Sequence, residues 1–328
     1  MLRYVIKRIF YMIPTLFGLS LIAFMIIQLP PGDYVTSMIA SMQDSGANVD
    51  PRQVERLREI YGFNDPVWMQ YLKWISGILF RGDFGYSFEW NRPVADLIWE
   101  RMGSTLAISV ASLLFVWAVA LPIGIYSAVR RHSVGDYVFT FIGFIGLAVP
   151  NFILALSLMY FSYRYFGQSV GGLFSPEYIE APWSWGKFAD LLNHLWIPII
   201  VIGTSGTAAM IRILRANLSD ELHKPYVITA RAKGLPGYKV VLKYPLRIAL
   251  NPFVSAIGWV LPDLVSGVTI TAIVLNLPTA GPLLLRALIS QDMYLAGSFI
   301  LLMGVLTLIG MLVSDLLLAL LDPRIRFT

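Results

Sequence analysis

The sequence predicts an all-α polytopic membrane protein with about six transmembrane helices. Three observations carry this expectation. Of 328 residues, 57% are hydrophobic and only 14% charged, whereas a soluble domain carries about a quarter charged residues to coat its surface. The apolar residues collect in runs close to the ~20 residues that cross the hydrocarbon core as a helix. The Lys and Arg residues collect in alternate connections between those runs, as they do where loops face the cytoplasm.

The first run covers residues 9–29, just behind Arg3, Lys7 and Arg8. A secretory signal has a shorter apolar core and a small-residue cleavage site. This run ends instead in Leu29-Pro30-Pro31-Gly32-Asp33, and reads as a retained first span with its N-terminus inside. Residues 30–103 are polar enough for water. Within them, 52–61 show helical periodicity, 67–79 read as an aromatic-rich amphipathic helix, and Gly82-Asp83-Phe84-Gly85 reads as a turn. An external, periplasmic cap of short helices is expected there.

Five further spans are expected at 104–128, 138–163, 194–213, 251–276 and 298–321. Residues 167–193, rich in Gly, Pro and Trp, form an external loop. The chain thus divides into 1–29 (N-terminal segment and first helix), 30–103 (external region) and 104–328 (five-helix core). That core includes a cytoplasmic loop over 212–250.

Charge orients the bundle. On the side shared with the N-terminus lie Arg130, Arg131, Arg212, Arg215, Lys224, Arg231, Lys233, Lys239, Lys243, Arg247, Arg324 and Arg326, against only Asp136, Asp220, Glu221 and Asp322. The opposite side carries ten acids between 33 and 100. Both termini are expected in the cytoplasm of a bacterial inner membrane. The formal charge of +5 is accounted for by these loops, with no nucleic-acid partner. The absence of cysteine excludes disulfides, thiolate metal sites and a cysteine nucleophile.

The loop from 212 to 247 is too polar to enter lipid. Pro225 begins a short helix, since its missing N–H is not needed in a first turn, and Gly234 suits the position past the end. Arg231 and Lys233 fall where cations complement the helix dipole. Leu222, Tyr226 and Ala230 recur every four residues and give a semi-apolar face. About ten helical residues span only some 15 Å, so this helix cannot cross the bilayer. Its face is free to dock on a partner or to rest on anionic lipid.

Thr229-Ala230-Arg231-Ala232-Lys233-Gly234-Leu235, with Leu246-Arg247 and Asn251-Pro252 downstream, resembles the cytoplasmic loop of binding-protein-dependent ABC importer permeases. Residues 1–33, Tyr61-Gly62-Phe63, Asp65-Pro66, Gln70-Tyr71, the 82–87 stretch and Arg92-Pro93-Val94 are similar to the dipeptide/oligopeptide branch of that family. The resemblance implies the type I importer permease fold. It also implies peptide substrates delivered by an external solute-binding protein, a sister permease, and two cytoplasmic ATPases that hold the ATP and magnesium. It makes the 225–234 helix the contact with an ATPase, with Ala230 at its small position, Gly234 at its turn position and Arg231 and Lys233 as the branch's basic residues. The chain departs at Ile228, where the branch has arginine, and lacks both the glutamate common near Thr271 and the Pro-Gly-Leu-Gly that Pro278-Thr279-Ala280-Gly281 replaces. Some members similar to this branch carry oligosaccharides or other small solutes.

Asp263 and Asp315 fall inside expected spans, where ionisable groups are costly. Asp263 lines a solute path or bonds a neighbouring helix; Asp315 reads as structural. Pro150-Asn151 bends the third span, as a gate or a static kink. Gly203-Thr204-Ser205-Gly206 has the form used by intramembrane serine proteases, but none of the three histidines, His132, His194 and His223, is placed to act as base. Small residues packing helices closely explain it better. No Gly-x-x-x-x-Gly-Lys-Ser/Thr phosphate loop occurs, so ATP hydrolysis is expected in partner chains. No metal-ligand spacing is seen. An ion-coupled secondary transporter, the rival reading, would need inverted repeats and midplane charges.

Overall fold

A chain this apolar must satisfy its backbone polar groups within itself, and helices do so segment by segment. The computed structural model describes residues 2–28, 65–87, 89–167, 171–266 and 268–321. In chain order its helices are α1 (Leu2–Gln28), α2 (Val67–Arg81), α3 (Val94–Val129), α4 (Val134–Ala148) and α5 (Asn151–Phe161). Then follow α6 (Trp185–Glu221), α7 (Pro225–Ala232), α8 (Gly237–Lys243), α9 (Pro245–Ala249) and α10 (Asn251–Ser266). The last are α11 (Thr269–Val274), α12 (Ala280–Ile289) and α13 (Met293–Leu321). Two-residue strands β1 (Tyr86–Ser87) and β2 (Arg92–Pro93) pair antiparallel, Tyr86 opposite Pro93. The expected helix over 52–61 lies outside the described residues.

Among the described residues, five stretches are long and apolar enough to cross a bilayer: Val5–Ile26, Val94–Val129, Trp185–Glu221, Gly237–Gly258 and Met293–Leu321. A sixth exists if Val134–Ala148 and Asn151–Phe166 count as one span, although they meet at 99°. The break has a local cause. Val149 is extended (φ −83°, ψ 120°), the conformation forced on a residue before proline, and Pro150 then caps α5. The third span is thus two helices at a right angle rather than one bent rod. The expected fifth span over 251–276 is likewise divided, into α10 and α11. The fourth is longer than expected, because α6 starts at Trp185 and runs on as a polar helix to Glu221.

The chain forms two compact units, one of Leu2–Gly103 with Thr279–Leu306, the other of Ser104–Pro278 with Thr307–Thr328. In the first, Phe24 of α1 packs with Tyr71 and Trp74 of α2 and with Leu301. The turn before β1 comes so close to α13 that a Cβ on Gly85 (φ +88°) would sit 2.9 Å from the Tyr294 ring. Asp292, fully buried, accepts hydrogen bonds from Ser87 Oγ (2.5 Å), Glu89 N (3.3 Å) and Leu295 N (3.2 Å).

Among the described residues, the second unit has two larger apolar cores and a small one under α7. Of the larger two, one gathers Ile108, Ile197, Val201 and Leu275; the other gathers Ala120, Leu214, Leu218, Leu246 and Phe253. Close helix approach depends on small residues. A Cβ on Gly203 would meet the Phe115 ring at 2.5 Å, one on Gly146 would meet Thr204 at 2.7 Å, and one on Gly124 would meet Leu214 at 2.8 Å.

Candidate functional site

The polar segment between α6 and α10 is a string of three short helices, α7 to α9, of which α8 and α9 bring Val241, Leu246 and Ala249 to the second core. Lys224 is extended, Pro225 opens α7, and Gly234 (φ +76°) stops it. A Cβ on Gly234 would touch nothing within 4 Å, so the left-handed backbone alone asks for glycine there. The Gly234 N–H donates to the Arg231 carbonyl at 2.9 Å.

Inward, Val227 (0% exposed) and Ala230 (6%) pack on Val240 of α8, with Tyr244 at the edge. This corrects the expected face. Leu222 is the C-terminal cap of α6 and joins the core of Leu218 and Leu246. Tyr226 points outward, its hydroxyl bonded to the Glu221 carboxylate. The turn through His223 and Lys224 resets the helical phase, so a four-residue count carried across it joins residues on different helices. Ala230 faces the chain's own interior.

Outward, α7 presents Tyr226, Ile228, Thr229, Arg231, Lys233 and Gly234. Thr229 Oγ1 is occupied by its own helix, donating to the Pro225 carbonyl at 2.9 Å. Arg231 and Lys233 form no ion pair among the described residues. The exposed surface is therefore cationic with one apolar side chain, Ile228, 58% exposed.

Each flank of this segment is tied to another helix by an arginine. Arg215 of α6 holds the Asp136 carboxylate with two bonds, Nε at 2.7 Å and Nη2 at 2.8 Å. Asp136 is 1% exposed, takes a further bond from His132 N (2.9 Å), and donates its own N–H to the capping Ser133 Oγ (3.2 Å). Arg247 of α9 donates from Nε to the Leu321 carbonyl (2.7 Å) and from Nη2 to that of Leu320 (3.4 Å). It thereby satisfies acceptors that the end of α13 leaves open. From the sequence both arginines read as loop charges, and Arg247 also as part of the family resemblance, and neither tie was found. The Ser133-x-x-Asp136 capping pattern ahead of an apolar run could have pointed to the first tie.

The other expected residues do not converge on this segment. Pro150 is exposed at the joint of α4 and α5, Asn151 is half-buried, and Asp263 is exposed on α10. Asp263 forms no hydrogen bond or ion pair among the described residues. Ser205 is half-buried on α6. His194, on the same helix, sits with Nδ1 2.8 Å from the Asp190 carbonyl, eleven residues or about 16 Å along the axis from Ser205. His223 Nδ1 lies 2.7 Å from the Ser219 carbonyl and His132 Nδ1 3.4 Å from the Tyr137 hydroxyl. Among the described residues no three His, Cys, Asp or Glu side chains are grouped to hold a metal.

Residues 120–327 match the family described as binding-protein-dependent transport system inner membrane component, and residues 1–109 match the N-terminal region described for such membrane components. The chain is 33% identical to the oligopeptide transport system permease protein AppB of Bacillus subtilis, over the whole of both chains. It is 34% identical to the glutathione transport system permease protein GsiC of Escherichia coli O1:K1, again over the whole of both. It is 30% identical to the dipeptide transport system permease protein DppB of Escherichia coli K12, over 99% of each.

Proposed function

The chain belongs to the family of binding-protein-dependent transport system inner membrane components, and from that premise we propose that it is a permease subunit of an ATP-driven importer of short peptides. The peptide class rests on relatives named for oligopeptide, dipeptide and glutathione transport. A sister permease completes the path, an external binding protein delivers the solute, and two cytoplasmic ATPases supply energy. Both termini lie in the cytoplasm, and the described segment of 30–103 faces the outer side.

One observation carries the ATPase contact. α7 is too short to enter the bilayer, is anchored from within by Val227 and Ala230, and turns Arg231, Lys233 and Gly234 outward. Closure of the ATPases on ATP would displace α7, and the cavity would open outward; hydrolysis would return it. ATP shifts this equilibrium only through its different affinity for the two states. Leu222 and Pro225 then act as parts of the seat, whereas Tyr226, Ile228, Thr229, Arg231 and Lys233 act as the contact surface. Pro150, Asn151 and Asp263 remain candidates for the path.

The test is Gly234→Asp in the assembled transporter. Uptake should be lost while the subunit still inserts and copurifies with its sister, and peptide-stimulated ATPase activity should fall to the basal rate. Normal stimulation in that variant would remove α7 as the coupling contact.

A further inference from the structure

We propose that α2 lies in the outer interface of the bilayer, with Trp68, Leu72, Leu79 and Phe80 against lipid, rather than standing in water as an external cap. This inference needs only that α1 spans the membrane, and is independent of the coupling role of α7.

The contacts of α2 set its depth. Arg3, Lys7 and Arg8 mark the inner edge of α1. About 20 residues at 1.5 Å each from Ile9 reach the outer edge near Gln28. At that edge Gln28 Nε2 donates to Gln70 Oε1 at 3.1 Å. The rest of the contact lies deeper. Phe24, about 6 Å below Gln28 along the helix, packs edge-on against Tyr71 at a ring separation of 5.5 Å and, tilted by 30°, against Trp74 at 5.9 Å. Ser20, about 12 Å below Gln28, shares a 2.8 Å hydrogen bond with the Tyr71 hydroxyl.

Helix α2 carries the composition this depth requires. Tyr71, Trp74 and Gly77 are buried, yet the opposite side is apolar too: Trp68 is 60% exposed, Leu72 49%, Leu79 69% and Phe80 85%. A cap in water would place polar residues there. Lys73 is the one charged side chain between Val67 and Phe80, and its ammonium is drawn toward the start of the helix by Asp65 at 2.5 Å, as a lysine at an interface snorkels. The exposed side of α1 at the same level, Ile22 and Met25, is apolar as well, so the lipid face of the span continues onto α2. Interfacial helices bury an apolar side to ~5–10 Å in this way, with tryptophan at the boundary.

Because the chain has no cysteine, nitroxide labels can be placed singly at Leu72→Cys, Leu79→Cys and Phe80→Cys. The transporter is reconstituted in phospholipid vesicles with cysteine-free partner subunits, and retained uptake identifies the folded variants. Phe17→Cys on α1 serves as lipid reference and Glu180→Cys as water reference. Collision with oxygen should exceed collision with a water-soluble nickel chelate several-fold at Leu72 and Leu79, close to the Phe17 ratio. A ratio near that of Glu180 would put α2 in water and overturn the proposal. Low collision with both probes would mean a protein surface covers it, and would overturn it equally. Phe80 gives the same reading should either leucine variant fail to assemble.

Discussion

Asp136 and Arg215 show how one residue pair sets the stakes for a whole joint. The carboxylate is buried and accepts hydrogen bonds from the arginine and from the His132 amide. Removing one partner leaves the other desolvated and uncompensated, which costs about 3–5 kcal/mol for a fully buried pair. The arginine here is only partly buried, with 29% of its side chain exposed, and relaxes toward water, so the cost of Asp136→Ala should fall near the lower bound. Thermal unfolding of the purified complex in detergent should occur several degrees lower than in the natural protein. An unchanged midpoint would show that the pair contributes nothing net. Arg247→Gln removes a cation from the end of α13, an effect worth roughly 0.5–1 kcal/mol at an exposed helix terminus. Insertion should persist, with faster proteolysis at the C-terminal end of the chain as the readout; equal rates would refute the capping role.

At the scale of elements, the close approach of α3, α4 and α6 separates two readings of Gly203-Thr204-Ser205-Gly206. If the motif serves packing, Gly203→Ala must push a methyl into the Phe115 ring, 2.5 Å from the ideal Cβ, at a cost of about 1–3 kcal/mol. Ser205→Ala should by contrast leave uptake unchanged, since no histidine lies within hydrogen-bond reach. Loss of uptake in Ser205→Ala with normal stability would revive an enzymatic reading. This level also shows what the sequence can and cannot announce. Proline at the first turn and glycine past the last fix α7 from chemistry local to those residues, so its start and stop were legible. Which face of α7 turns inward depends on Val240, thirteen residues downstream of Val227 and on another helix; periodicity along one helix cannot supply that. The bend at Pro150 was legible for the same local reason as α7, but its 99° angle comes from how α4 and α5 each pack on α6.

For the whole molecule, class and topology come from quantities that sum over many residues, and such sums survive local errors. Hydropathy identified the bundle even though two of the expected spans are divided and a third begins earlier than its apolar core. The proposed orientation rests on the same averaging: moving any one basic residue across the bilayer costs a few kcal/mol, and twelve of them are assigned to one side. That assignment predicts a labelling pattern. Single cysteines replacing Arg131 and Lys233, both exposed, should react with a membrane-impermeant maleimide only when the cytoplasmic face is open, as in inside-out vesicles. A cysteine replacing Glu180, exposed beside the short turn Pro176–Tyr178, should react in intact spheroplasts. Because α6 alone connects the Glu180 side to α7, reaction of Glu180→Cys and Lys233→Cys from the same face would mean that α6 does not cross. The orientation and the site of the ATPase contact would then have to be drawn again together, whereas the depth assigned to α2 rests on α1 alone.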